Sequence, residues 1–123
     1  MTTIAEIVQL GSEVLRLKAV LVTDIESSEI KQLINTLQDT LASTQGVGIA
    51  APQINESKQV IIIASRPSAR YPNAPLMEPT VMINPIFEAL SESIEKDWEG
   101  CLSIPAIRAW CHAIKKLKLA TPM

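Results

Sequence analysis

The clearest periodic pattern of hydrophobic residues predicts one long α-helix over residues 24–44. Its apolar positions recur at the three- and four-residue spacing that places side chains on one helix face, and they are Ile30, Leu33, Ile34, Leu37 and Leu41. Thr23, with Glu26 three residues later, is typical of a capping box at a helix start. Gly46 is a natural stop after the last turn. We therefore expect this helix to bury its apolar stripe in the core.

Shorter apolar segments after this helix predict β-strands. Residues 59–64 are β-branched and apolar, which is typical of a buried strand, and residues 80–84 predict a second strand. Four prolines within residues 65–79 predict a loop between them. Residues 86–98 predict a further strand or hairpin arm, and residues 116–119 alternate as a half-exposed strand does. The expected fold class is α+β, with one long N-terminal helix packed on short, mostly antiparallel strands.

Length and composition indicate a single domain over residues 1–123. A net charge of -2 and an aromatic content of 3% give no basic patch and no stacking platform, so we expect no binding to DNA. The longest apolar run, residues 60–64, is too short to span a bilayer, and the N-terminus does not resemble a signal peptide. We therefore expect a cytoplasmic protein. We also expect the N-terminal segment to form an arm in which Ser12 caps a short helical turn.

Two stretches have compositions that ordinary core packing does not require. Residues 46–53, G-V-G-I-A-A-P-Q, are small and apolar, so a ligand or a second backbone could approach closely; a plain helix-to-strand connection is the alternative. Residues 99–103, E-G-C-L-S, contain Cys101, a candidate metal ligand or nucleophile, although an isolated cysteine is more often a small buried hydrophobic residue. Pro105 follows and is expected to stop a regular strand or helix.

Together and in this order, the two stretches resemble the first two motifs of peptide deformylases, G-x-G-[LI]-A-A-x-Q and E-G-C-L-S. The resemblance runs from about Ile7 to about Leu119. It implies a metal-dependent hydrolase that removes the formyl group from the N-terminal formyl-Met of nascent peptides at the ribosome. The family's metal is Fe²⁺, or Ni²⁺ or Zn²⁺. Its ligands are the cysteine of the second motif and two histidines of a third motif, H-E-x-x-H, on a C-terminal helix, while water takes the open position.

Transferred to this sequence, the resemblance assigns roles to six residues. Cys101 would be the thiolate ligand of the metal. The side-chain amide of Gln53 and the backbone N–H of Leu102 would hold the metal-bound water and then the developing oxyanion. Gly48 would line the channel in which a peptide backbone could pair beside it. Glu99 would lie beside the methionine pocket, and Arg108 would lie near the peptide chain.

The sequence departs from the family at its third motif. It contains one histidine, His112, whereas a Cys–His₂ site needs two, and H-E-x-x-H is absent. The resemblance therefore implies a domain that is incomplete at its C-terminus, without the metal-binding helix and the general base. Cys111 and His112 do not readily replace the missing ligands, because neighbouring residues of an extended segment point to opposite faces. A smaller departure is Ala106, where the family usually has glycine.

Three hypotheses follow from these observations. The first is a deformylase-like protein that is catalytically incompetent as this chain and does not bind iron stably. The second is a fragment of an active peptide deformylase. The third is a non-catalytic module that binds a formyl-Met peptide or a partner protein. Loss of the C-terminal helix would also uncover apolar strand residues, so we expect a homo-oligomer formed through exposed sheet.

Overall fold

A computed structural model describes residues 3–67, 72–114 and 117–121 of the chain. Within these ranges the fold is α+β, as expected, and its elements in chain order are a 3₁₀ turn (Glu13–Arg16), α1 (Ser28–Ala42), β1 (Gly48–Ala50), a second 3₁₀ turn (Ala51–Ile54), β2 (Val60–Ser65), β3 (Met77–Ile83), β4 (Ile86–Ala89), β5 (Ile94–Cys101), β6 (Ile104–Ile114) and β7 (Leu117–Ala120). The paired strands within the sheets are antiparallel. None of the helices in these ranges has the length and apolar content needed to cross a membrane.

Helix α1 carries the predicted apolar stripe but begins later than predicted. The stripe is confirmed, since four of its five positions are buried and Ile34 packs against the same core. The predicted capping box at Thr23 and Glu26 is wrong, because Ser27 is the N-cap and its hydroxyl accepts a hydrogen bond from the Ile30 N–H at 3.2 Å. In the segment before the helix, the Asp24 carboxylate accepts a hydrogen bond from the Glu26 N–H at 3.0 Å and stabilises a turn. The predicted Ser12 cap is also partly wrong: Ser12 precedes the 3₁₀ turn, but its side chain makes no capping hydrogen bond.

A three-stranded sheet in the order β1-β2-β3 packs with α1 to form the core. Val60 and Ile62 of the central strand are fully buried, as the apolar run predicts. The predicted loop over residues 65–79 is too long, because β3 already begins at Met77. Pro79 is tolerated inside β3 because this strand lies at the edge of the sheet and its register with β2 shifts nearby.

Two antiparallel ribbons complete the described chain. The predicted arm over residues 86–98 is two strands: β4 pairs with β7, and β5 pairs with β6. In the β5–β6 ribbon, Trp98 and Trp110 face each other across the strands with ring centroids 5.4 Å apart, edge to face. Most residues of this ribbon are exposed, so it projects from the core rather than packing within it.

A buried asparagine fastens the N-terminal segment to the end of β3. Asn84 is 5% exposed, its Oδ1 accepts from the Val22 N–H at 2.8 Å, and its Nδ2 donates to the Val22 carbonyl at 2.9 Å. Its backbone has φ of 53°, a left-handed conformation that asparagine tolerates better than most residues. The side chain and the backbone conformation therefore both favour asparagine here.

We predict that Asn84→Ala destabilises the fold by about 3 kcal/mol, because two buried backbone groups lose their partners and alanine disfavours positive φ. Urea unfolding followed by circular dichroism measures this loss. Asn73→Ala, in an exposed segment, is the matched control and should stay within about 0.5 kcal/mol of the parent. Equal stability of the two variants would contradict the assigned role.

Candidate functional site

The two sequence motifs face each other across a cleft of about 440 Å³. One wall is formed by residues 45–48 and Gln53, which lie at the start of β1 and in the turn after it. The other wall is formed by residues 100–102 and 104–108, at the tip of the β5–β6 ribbon. Stretches that are about 50 residues apart in sequence therefore share one cavity.

The side-chain amide of Gln53 links the two walls. Its Oε1 accepts a hydrogen bond from the Ala50 N–H at 2.9 Å. Its Nε2 donates to the Ser103 hydroxyl at 3.1 Å and lies 3.6 Å from the Cys101 sulfur, within hydrogen-bonding range for sulfur. Because the Ala50 N–H can only donate, the amide oxygen must face Ala50 and the amide protons must face the second motif.

Cys101 presents an exposed free thiol at the end of β5. The alternative of a buried structural cysteine is therefore wrong for this residue. Leu102, the next residue, turns its side chain inward against the core. Both residues line the cleft, but the Cys101 thiol is exposed there whereas the Leu102 side chain packs the tip of the ribbon against the core.

Two glycines of the first motif are explained by close contacts. A Cβ atom at Gly46 would lie 3.2 Å from the Leu102 methyl carbons, and one at Gly48 would lie 3.3 Å from the Ile62 carbonyl oxygen. The first contact brings the two walls together, and the second brings β1 against β2. A side chain at either position would require the neighbouring atoms to shift by a few tenths of an ångström, which is harder at Gly48 because its neighbour is a backbone oxygen.

Ser103 is the site residue that sequence reasoning missed. Its side chain is 4% exposed, and its hydroxyl accepts the hydrogen bond from the Gln53 amide. The sequence contained one signal, since Ser103 is the last residue of the E-G-C-L-S motif. No role was assigned to it because its partner lies 50 residues away along the chain.

The remaining predicted site residues lie at or beside this cleft. Gly48 and Arg108 line it, together with Gln53, Cys101 and Leu102. Glu99 lines a neighbouring cavity of about 620 Å³ instead, whose walls also include Trp98. The two cavities share Val47 and Gly100 and are therefore adjacent. The structure thus brings five of the six predicted residues to one cleft and the sixth next to it.

In residues 3–67, 72–114 and 117–121, the possible metal donors do not form a three-ligand site. The only histidine in the sequence, His112, pairs with Lys96 in the ribbon, and Cys111 pairs with Asp97. Asp97 is four residues before Cys101 in β5, so its partner Cys111 lies about 13 Å from Cys101 along the ribbon. Two ligands that each hold one ion at about 2 Å cannot be that far apart. Among the described residues, no three His, Cys, Asp or Glu side chains lie close enough together to bind one metal. Within the described part of the chain, Cys101 is therefore not a member of a three-ligand metal site.

A bulge in β6 shapes the rim of the cleft. Cys101 pairs with Ile104 while Gly100 pairs with Arg108, so residues 105–107 are extra on β6. Pro105 interrupts the regular strand pairing, as expected, but it does not end the strand, because the bulge accommodates its missing N–H and β6 continues to Ile114. Ala106 within this bulge has φ of 66°. This is the position at which the sequence departs from the expected glycine.

We predict that Ala106→Gly stabilises the chain by about 1 kcal/mol, because glycine adopts positive φ without the steric cost that alanine has there. Urea unfolding measures the change. Ala109→Gly is a matched control, since Ala109 lies in the paired, extended part of β6 and should lose about 0.5–1 kcal/mol. Loss of stability in both variants would show that positive φ at Ala106 is not strained.

Comparisons with known proteins agree on one family. The family model described as polypeptide deformylase matches residues 4–120. Peptide deformylase 2 of a Nostoc species is 53% identical over 102 residues, which is 83% of this chain and 57% of that protein. Peptide deformylase 1 of Nitrosomonas europaea is 43% identical over 115 residues, 94% of this chain and 65% of that protein. The chain thus spans less than two thirds of these relatives.

A solved structure gives the same result for the fold. A Met-Ala-Ser-bound crystal structure of a class I type b peptide deformylase from Acinetobacter baumannii superposes with a TM-score of 0.91 at 38% identity. The match covers 97% of this chain and 76% of that one. The helix, the three-stranded sheet and the two ribbons therefore have a counterpart in a solved enzyme structure.

Proposed function

This chain belongs to the polypeptide deformylase family, and on that premise we propose that it carries the formyl-binding part of a deformylase-type site without hydrolysing the formyl group by itself. One observation carries this proposal: the Gln53 amide is fixed against Cys101 across the cleft, while the sequence contains a single histidine. The first feature favours recognition of a carbonyl group. The second removes the donors that a Cys–His₂ metal centre needs.

The oriented amide of Gln53 gives the cleft a hydrogen-bond donor at Cys101. A formyl oxygen placed between this amide and the Leu102 backbone N–H would accept from both groups. Donors held in advance at such a position stabilise a developing oxyanion, and each is typically worth about 3 kcal/mol of transition-state stabilisation. We therefore assign Gln53 and Leu102 to the binding of the formyl oxygen.

The proposed substrate is a formylated peptide lying along β1. This strand is at the edge of its sheet, so an extended peptide could pair beside Gly48. Arg108, on the opposite wall, would contact the peptide chain, and Glu99 would lie beside the methionine pocket. The Met-Ala-Ser peptide in the Acinetobacter baumannii structure supports a short methionine-headed peptide as the ligand class. Formyl-Met nascent chains at the ribosome, in the cytoplasm, would be its natural source.

This chain lacks two of the three protein ligands that the family's metal requires. A divalent ion such as Fe²⁺, Ni²⁺ or Zn²⁺ supplies an activated water in a deformylase. This chain offers Cys101 as one ligand and neither the histidines nor the general base. We propose that residues 1–123 form one deformylase-like domain that does not hold the metal stably alone.

The exposed β5–β6 ribbon suggests self-association. Register places Trp98 and Trp110, with Ile94 and Ile114, on one face of it. All four side chains are at least 40% exposed. An isolated two-stranded ribbon with such a face is marginal in water, so we propose that a second copy covers it in a homo-oligomer.

A second candidate function is favoured by the length of the relatives. Because this chain spans 57% and 65% of the two relatives above, it could be the N-terminal part of an active peptide deformylase. The cleft would then be completed by a segment bearing H-E-x-x-H. Both candidates place the same residues at the formyl group and differ in where the metal donors come from.

We predict no formate release above background when the purified chain meets a formyl-Met peptide with Fe²⁺, Ni²⁺ or Co²⁺ under reducing, low-oxygen conditions. The Nostoc relative is the positive control for the assay. A fusion of this chain to the C-terminal remainder of that relative should gain turnover if the second candidate is correct. Cys101→Ala in the fusion should then abolish it. Turnover by the unfused chain that is lost on Cys101→Ala would overturn the leading proposal.

A further inference from the structure

The N-terminal arm makes backbone hydrogen bonds to both motifs of the cleft. The Val8 N–H donates to the Gln53 carbonyl at 2.8 Å, and the Leu10 N–H donates to the Ser103 carbonyl at 2.8 Å. Nearer the N-terminus, the Ala5 N–H donates to the Thr40 hydroxyl of α1 at 2.9 Å. The arm therefore runs from the core helix, past the first motif, to the second.

The tip of the β5–β6 ribbon depends on these contacts because the ribbon itself lies outside the core. Its strands pair with each other, and its residues are mostly exposed. Hydrogen bonds from the Leu10 amide and the Gln53 side chain join residues 101–103 to the body of the protein. The Leu102 side chain adds apolar packing against the core, which has little directionality. The hydrogen bonds are therefore the contacts that can fix the orientation of the tip.

Gln53 is held at three points by different parts of the chain. Val8 fixes its carbonyl, Ala50 fixes its Oε1, and Ser103 fixes its Nε2. We propose that Ser103 and the backbone amides of Val8 and Leu10 are positioning groups that set the gap between the Gln53 amide and the Cys101 thiol. The N-terminal arm then supports the formyl-binding cleft through backbone contacts and does not itself line it. This inference rests on the function proposed above.

Leu10 offers a selective way to remove one of these hydrogen bonds. The Ser12 N–H donates to the Gln9 carbonyl at 3.0 Å, and Gly11 has φ of 103°, as in a turn with glycine at its third position. Proline suits the second position of such a turn, which Leu10 occupies. The Leu10 side chain is 72% exposed. Leu10→Pro therefore removes the N–H donor without removing core volume, and Leu10→Ala keeps the donor.

The test compares these two variants by NMR on the full chain. In the parent, the two Nε2 proton shifts of Gln53 should differ from those of Gln32 and Gln38, whose residues are exposed. In Leu10→Pro they should move toward the exposed values, and the Kd for formyl-Met-Ala-Ser should rise about tenfold. In Leu10→Ala both readouts should stay near the parent, with Kd within about twofold.

A second pair of variants addresses Ser103 and guards against loss of folding in Leu10→Pro. Ser103→Ala should shift the Gln53 amide proton signals toward the exposed values, as in Leu10→Pro. Ser103→Thr, which keeps the hydroxyl, should leave these signals near those of the parent. Unchanged Gln53 signals and unchanged affinity in both Leu10→Pro and Ser103→Ala would overturn the positioning role. If the parent does not bind the formylated peptide, the proposed function fails, while the Gln53 signals still decide the positioning role.

Discussion

The side chain of Gln53 is the connection on which the candidate site depends. One end of its amide accepts from Ala50 in its own motif, and the other end donates to Ser103 in the second motif. Breaking either contact would leave a polar group without its partner, which costs about 1–3 kcal/mol where water cannot replace it. The absence of a side chain at Gly46 favours this connection, because a Cβ there would lie 3.2 Å from the Leu102 methyl carbons and the leucine would have to shift.

The two walls of the cleft differ in how firmly they are held. The Gln53 wall belongs to the core, since the turn that carries it includes the buried residues Ala51 and Ile54. The Cys101 wall belongs to an exposed ribbon whose tip is attached by a few directional contacts and one leucine. Small openings of the tip would change the distance from the thiol to the amide while the core stays intact. The geometry of the site is therefore a property of those attachments.

Sequence reasoning succeeded where the structure is governed by local periodicity. The buried face of α1 and the apolar strand β2 could be predicted because their patterns follow from helix and strand geometry. The start of α1 could not, because Thr23 and Ser27 are both acceptable caps and the choice depends on the turn at Asp24. Strand pairing and the bulge at Ala106 were also out of reach, since both depend on residues that are distant in sequence.

The site was predictable only through the resemblance to a family. Spacing alone left Cys101 as either a ligand or a core residue, and nothing local linked it to Gln53, 48 residues away. The motif pair supplied that link, and the structure adds Ser103 and the N-terminal arm, whose backbone contacts leave no trace in the sequence. The single histidine was visible from the start, and it is the reason for the proposal that this chain does not hold the metal alone.

Titration of the chain with formyl-Met-Ala-Ser and, separately, with unformylated Met-Ala-Ser tests the central claim most directly. If the Gln53 amide and the Leu102 N–H bind a formyl oxygen, their NMR signals should shift with the formylated peptide at millimolar concentration. The unformylated peptide should shift them far less. Equal responses to both peptides, or no response at Gln53 and Leu102, would contradict a formyl-binding cleft in this chain.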